Sequence, residues 1–218
     1  MNNQKKIRIK FEKTGCAKYI SHLDLNRLFA RSLVRAGVEV AHSEGFNPHP
    51  KIVFAAAIPL GIESFCEFSD VKIIETDEIA ASGGELNPEE FKSGFPQGIN
   101  IIEVYEPETD FKNIDSARYN IFINTNRIGI DELNKFFEGD IFFVKETKKS
   151  KSTINLKDYI CEINISDGKI DVVLKSNQQM YLNPENIIKS IREKYPGALD
   201  DYSIQKLQVH DVKGGVFE

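Results

Sequence analysis

Three of the four histidines, His22, His42 and His49, fall within one stretch of thirty residues that also carries Arg27, Arg31, Arg35 and Lys51. These side chains suit two kinds of chemistry. The guanidinium and ammonium groups can bind anions, and an imidazole, titrating near pH ~6.5, can move protons. Arg27, Arg31 and Arg35 recur at four-residue steps, so on a helix they share one face. Such a row can meet successive phosphates or a carboxylate-rich partner. The plain structural alternative is a solvated helix face, with Arg27 paired to Asp24 one turn earlier.

Gly45-Phe46-Asn47-Pro48-His49-Pro50-Lys51 reads as a stiff loop. Its two prolines restrict φ and remove two backbone donors, and Gly45 permits a positive φ. Asn47 and His49 are then held out at low entropic cost, with Phe46 as a stacking surface or a core plug. Lys148, Lys149 and Lys151 form a second basic cluster suited to phosphate contact. As an exposed lysine loop it is equally at home with no ligand. His22 and His49 are the candidates for general acid or base in a metal-free RNA-cleaving enzyme. No nucleophile accompanies them in the pattern, and Ser21 is better used as a helix cap. His22, Asp24, His42 and His49 match no recognised metal spacing, so no metal and no cofactor are expected.

Composition narrows the class. The 218 residues are 41% hydrophobic and 28% charged, ordinary for a globular protein of one large or two small domains. No run of about 18 apolar residues predicts a membrane helix, and the N-terminal residues lack a secretion signal, so a cytoplasmic protein is expected. Three well-separated cysteines, Cys16, Cys66 and Cys161, argue against a disulfide framework and cannot form the close triplet that holds a radical SAM cluster. The net charge of −5 is uneven. Residues 1–55 carry ten Lys/Arg and four Asp/Glu, a balance of +6, which leaves −11 for the remainder. That pattern predicts a local basic face on an acidic molecule rather than a broadly basic nucleic-acid domain.

The elements that must position these residues follow from periodicity. Ile7, Ile9 and Phe11 alternate with Arg8 and Lys10, as in a half-buried strand. Residues 21–36 read as a helix with Ser21 as N-cap, Asp24 three residues on, and Leu25, Leu28, Phe29, Ser32, Leu33 and Ala36 as its inner stripe. Strands are expected at 38–41, 52–58, 65–74 and 99–105, and a short helix at 87–93. Residues 107–115 read as a linker. Beyond it a strand at 119–123, a helix at 129–138, strands at 141–145, 159–165 and 170–174, a helix at 184–195 and a strand at 203–209 repeat the order. The reading is an α+β protein of two tandem ferredoxin-like βαββαβ halves, residues 1–108 and 115–218.

Lys13-Thr-Gly-Cys-Ala-Lys-Tyr-Ile-Ser-His-Leu-Asp-Leu-Asn-Arg27, Arg31 with Arg35-Ala-Gly37, Ser43-Glu-Gly-Phe-Asn-Pro-His-Pro-Lys51 and Pro59-Leu-Gly-Ile-Glu-Ser64 resemble the radical SAM-linked protein family, a bacterial domain of unknown function. The likeness continues more loosely through residues 95–100 and 148–151. One departure is Val38-Glu39, where the family tends to have a proline. The resemblance implies a bacterial cytosolic protein that works with a radical SAM enzyme. Its gene neighbourhoods, rich in RNA-processing functions, imply an RNA partner such as tRNA or rRNA. Two ferredoxin-like halves also invite comparison with RAMP-type CRISPR RNA proteins, by fold analogy alone. The reading preferred is a non-catalytic RNA-binding accessory module. It would use Arg27, Arg31, Arg35, Lys51, Lys148, Lys149 and Lys151 on phosphate, and Phe46, Asn47 and His49 on a base or end group. The alternatives are the His-dependent RNA-processing enzyme and a docking module for a radical SAM enzyme.

Overall fold

The computed structural model describes residues 4–56, 58–75, 87–125, 127–146 and 151–218. The chain divides into two compact units, Met1–Phe111 with Glu218, and Lys112–Phe217. Each is an α+β structure. The boundary between them falls within the polar stretch at 107–115. Phe111–Asn113 form a 3-10 turn, and the next strand begins at Ile114.

The first unit comprises β1 (Gln4–Lys13), α1 (His22–Arg35), β2 (Ile52–Phe54), β3 (Glu63–Ile74), α2 (Pro88–Lys92) and β4 (Ile99–Tyr105). Its strands run β4-β1-β3, with β2 also on β3, and all pairings are antiparallel. Alternation along β1 sends Ile7, Ile9 and Phe11 to one face, where they are fully buried with Leu25, Phe29 and Leu33 of α1. Phe29 is the hub, its ring 4.7 Å from Phe11 and 4.9 Å from both Phe54 and Phe95. Helix α1 starts where the sequence marks it. Ser21 Oγ accepts from the Asp24 backbone N–H at 3.2 Å, and the Ser21 hydroxyl donates to Asp24 Oδ2 at 2.7 Å. The chain then meets the sheet closely at Gly98, where φ is +90° and a Cβ would lie 2.7 Å from the Thr14 carbonyl oxygen.

Two strand expectations in this unit need correction. Residues 38–41 form only a single bridge, Val40 to Ile73, and the run at 52–58 is a strand only to Phe54. Both segments compete for one edge of β3. Ile74 N–H donates to the Glu39 carbonyl and Ala41 N–H to the Lys72 carbonyl, but Lys72 N–H turns instead to the Lys51 carbonyl. At Lys72 the edge passes from 39–41 to 51–54, so neither segment makes a long ladder.

The second unit comprises β5 (Ile114–Asn124), α3 (Ile130–Glu138), β6 (Phe142–Glu146), β7 (Lys151–Asn155), β8 (Ile160–Ser166), β9 (Lys169–Lys175), α4 (Glu185–Lys194) and β10 (Asp201–Asp211). Strands β10-β5-β9-β8 form its antiparallel sheet. Ala117, Ile121, Ile170, Val172 and Leu174 from the strands and Ile187, Ile188 and Ile191 from α4 are buried. The strand expected at 141–145 does not join this sheet. It pairs with β7 as a separate hairpin, Phe142 to Asn155 through Glu146 to Lys151. β8 takes the place beside β9 because Asp167-Gly168 closes their hairpin, with Gly168 at φ +67°. The outer side chains of β6, Phe142 and Val144, stay exposed.

Candidate anion-binding surface

The loop between Ala41 and Lys51 is fixed at its base by the shared edge of β3. Lys51 N–H donates to the Ala41 carbonyl at 2.8 Å, and Lys72 N–H donates to the Lys51 carbonyl at 3.0 Å. One step further out, His42 and Pro50 form a bridge. Ser43 N–H then donates to the His49 carbonyl at 2.8 Å, and Ser43 Oγ accepts from His49 N–H at 3.0 Å. Three hydrogen bonds, two of which frame the His42–Pro50 bridge, therefore close the neck. Only Glu44–Pro48 project beyond it, with Gly45 at φ +122° making the bend. Phe46 is wholly exposed, at 112% relative accessibility, so it is not a core plug. Asn47 and His49 are exposed beside it.

Beside this neck lies a groove of about 420 Å³ lined by Lys6, Ser43, His49, Lys51, Val53 and Lys72, with Asp70 on its floor. Register explains the convergence. Lys6 is the cross-strand partner of Lys72, and Arg8 of Asp70, so alternation turns all four away from the helix-covered face. Asp70 is shared. Its Oδ2 lies 2.8 Å from Lys6 Nζ, and its carboxylate takes Arg8 Nε at 2.7 Å and Nη2 at 3.0 Å. Lys51 Nζ donates to Gln4 Oε1 at 3.3 Å. The Lys72 ammonium has no hydrogen-bond or ion-pair partner among the described residues. Like charges directly opposite on neighbouring strands repel, and of this pair Lys6 alone has a carboxylate beside it among the described residues.

Arg8 is fully buried under this face. Besides Asp70 it donates to the Thr109 carbonyl at 2.8 Å, to Thr109 Oγ1 at 3.2 Å and to the Glu218 backbone carbonyl at 3.2 Å, and it lies 4.4 Å from the Phe111 ring centroid. It is an organiser rather than a free cation. Burial pushes the nearby Tyr105 phenol up to about 12, against the pull of the Arg8 guanidinium.

The arginine row lies elsewhere. Arg27, Arg31 and Arg35 are exposed on α1, on the side opposite its buried Leu25, Phe29 and Leu33. The helix covers the face of β1 that bears Ile7 and Ile9, whereas the groove opens on the face that bears Lys6. The sheet thus separates the arginines from His49 and Lys51. Arg27 pairs with Asp24 at 3.2 Å, and Arg35 donates to Ser32 Oγ at 3.0 Å. Arg31 has no such partner among the described residues. The Ser21 hydroxyl, and secondarily Arg27, holds the Asp24 carboxyl below the usual carboxylate range.

The histidines are also dispersed. His22 stands edge-on to Phe54 at 5.5 Å, and His42 Nδ1–H donates to the Val40 carbonyl at 3.0 Å. Among the described residues no three His, Cys, Asp or Glu side chains are grouped to hold a metal ion. Lys148 and Lys149 lie outside the described residues, and Lys151 opens β7. Two groove residues, Lys6 and Lys72, escaped the sequence reading. Lys6 lies in the visible alternation of β1, but Lys72 becomes its neighbour only through a pairing across 66 positions, from 6 to 72.

The fold and this surface define an α+β protein with a cationic loop-and-groove face on its first unit. The chain belongs to a family of uncharacterised proteins conserved in bacteria (DUF2344), whose model matches residues 6–207. A search of curated proteins found no match. Among solved structures, the small subunit of acetolactate synthase from Thermotoga maritima aligns over 96% of this chain and 97% of that chain, at 8% identity and a TM-score of 0.26. A likeness that slight carries no argument. No helix among the described residues is long and apolar enough to cross a membrane.

Proposed function

We propose that the protein is a non-catalytic RNA-binding module whose first unit holds a single strand at the loop-and-groove face. The observation that carries this reading is the rigid neck that presents an exposed Phe46, with Asn47 and His49, beside three lysines. An aromatic side chain flanked by cations is the usual chemistry of single-strand recognition, where stacking contributes about 1–3 kcal/mol per base. The acidic remainder of the chain confines binding to this patch. We read both units as ferredoxin-like, the second with β6 and β7 inserted, which supports comparison with RAMP-type RNA proteins by analogy only.

The test is titration of single-stranded RNA by fluorescence anisotropy over a salt series. The expected outcome is binding that weakens with salt, with a log–log slope of roughly −0.7 per phosphate contact. Phe46→Ala should weaken binding at every salt concentration without changing that slope. Absence of binding at low salt by the folded wild type would overturn the reading. RNA recovered intact supports a module; cleavage lost in His49→Ala would favour the enzyme.

A second reading belongs to the other face. The outer side of α1 exposes Leu23 and Val34 with the three arginines, a mixed apolar and cationic surface suited to an acidic protein such as a radical SAM partner. Salt-resistant co-purification of such an enzyme, lost in Leu23→Ser but retained in Phe46→Ala, would support it.

A further inference from the structure

We propose that the groove beside the loop neck is a site for a terminal phosphomonoester of a nucleic-acid strand rather than for its internal diester backbone. The inference rests on the RNA-binding reading and deepens it.

Charge sets the preference. Among the described residues the groove is lined by Lys6, Lys51 and Lys72 and by one carboxylate, Asp70, whose charge the buried Arg8 already matches, so the three lysine charges are left over. Asp70 is shared between Arg8 and Lys6, so this one carboxylate cannot balance the charge of Lys51 and Lys72 as well. An internal diester brings one negative charge, whereas a monoester brings close to two together with three acceptor oxygens. An anion seated between the directly opposed Lys6 and Lys72 would relieve their repulsion beyond what Asp70 gives Lys6. Lys51 is placed for the same ligand. Its backbone is locked into the neck by hydrogen bonds on both sides, while its ammonium makes one 3.3 Å contact to Gln4.

Space agrees with charge. A groove of about 420 Å³ lies at the lower end of small-ligand pockets and exceeds the needs of a phosphate alone. It has room for the sugar of one end nucleotide as well. Phe46 and Asn47 project from the same neck, where a base attached to that sugar would emerge. The neck is short and closed by three hydrogen bonds, so phosphate site and stacking surface are held together before the ligand arrives.

The experiment is calorimetric titration of the full chain with one short RNA in three forms: 5′-phosphate, 3′-phosphate, and hydroxyl at both ends. Adenosine monophosphate is titrated separately. One phosphorylated form should bind at least about tenfold tighter than the hydroxyl form, the difference expected of one charge-assisted hydrogen bond. In Lys51→Ala/Lys72→Ala the three forms should become equal, with an unchanged circular dichroism spectrum. Equal affinity of the wild type for all three overturns the end-phosphate site but leaves the RNA reading intact. If no RNA binds, that reading falls. Adenosine monophosphate binding that is lost in the double variant would then retain the phosphate site, and its failure to bind would overturn that too.

Discussion

Lys6 and Lys72 stand directly opposite each other on neighbouring antiparallel strands, and only Lys6 has an acidic partner among the described residues. The pair is unfavourable in the free protein. Opposed like charges destabilise by about the 0.2–1 kcal/mol that opposite charges contribute. Lys72→Glu should therefore raise stability by roughly 1 kcal/mol or less in urea unfolding, while weakening anion binding. A variant that lost both stability and binding would refute the assignment of this pair to function.

Arg8 should behave in the opposite way. It is fully buried, bidentate with Asp70 and bonded to Thr109 and the Glu218 carbonyl. Truncation in Arg8→Ala leaves the Asp70 carboxylate without its main buried partner, and breaking a buried pair costs about 3–5 kcal/mol. The midpoint of urea unfolding should fall accordingly. Arg8→Ala/Asp70→Ala should be less damaged than the sum of the two single changes, as a double-mutant cycle would measure.

The cap of α1 can be read by pH. Ser21→Ala removes the acceptor for the Asp24 backbone N–H and should cost about 1 kcal/mol. The same change removes the hydroxyl that chiefly depresses the Asp24 carboxyl, so its titration, followed by NMR, should move up toward the ordinary 3.8. Because the folded value lies below the unfolded one, the associated stabilisation is present above pH 3.8 and is lost as pH falls through the folded value.

Lys13 carries the reverse linkage. Burial lowers its ammonium below the ordinary 10.5, more than Glu67 raises it. Its Nζ donates to the Lys18 carbonyl at 3.1 Å, and Ser64 donates to Glu67 at 2.6 Å alongside. The folded state therefore sheds this proton first. Stability should rise with pH between the folded value and 10.5, where the unfolded chain still holds the extra proton. Lys13→Met should flatten that rise in alkaline unfolding curves.

Much of this protein is local and was therefore legible in the linear chain. Ser21 caps α1 through a contact only three residues long, and Ile7, Ile9 and Phe11 announce the inner face of β1 by alternation. The stiffness of residues 45–50 also followed from their own glycine and prolines. Tertiary structure decided the rest. Whether 38–41 or 52–54 would own the edge of β3 depended on hydrogen bonds at Lys72, which no local pattern encodes. That β6 would pair with β7 and leave the sheet to β8 was a choice among strands of similar propensity, settled by which partner each could reach. The assembly of Lys6, Lys51 and Lys72 into one groove, with the arginines of α1 on the opposite side of the sheet, arose from register. A one-residue slip would have turned Lys6 into the core, so burial of Ile7 and Ile9 is what aims the lysines at solvent.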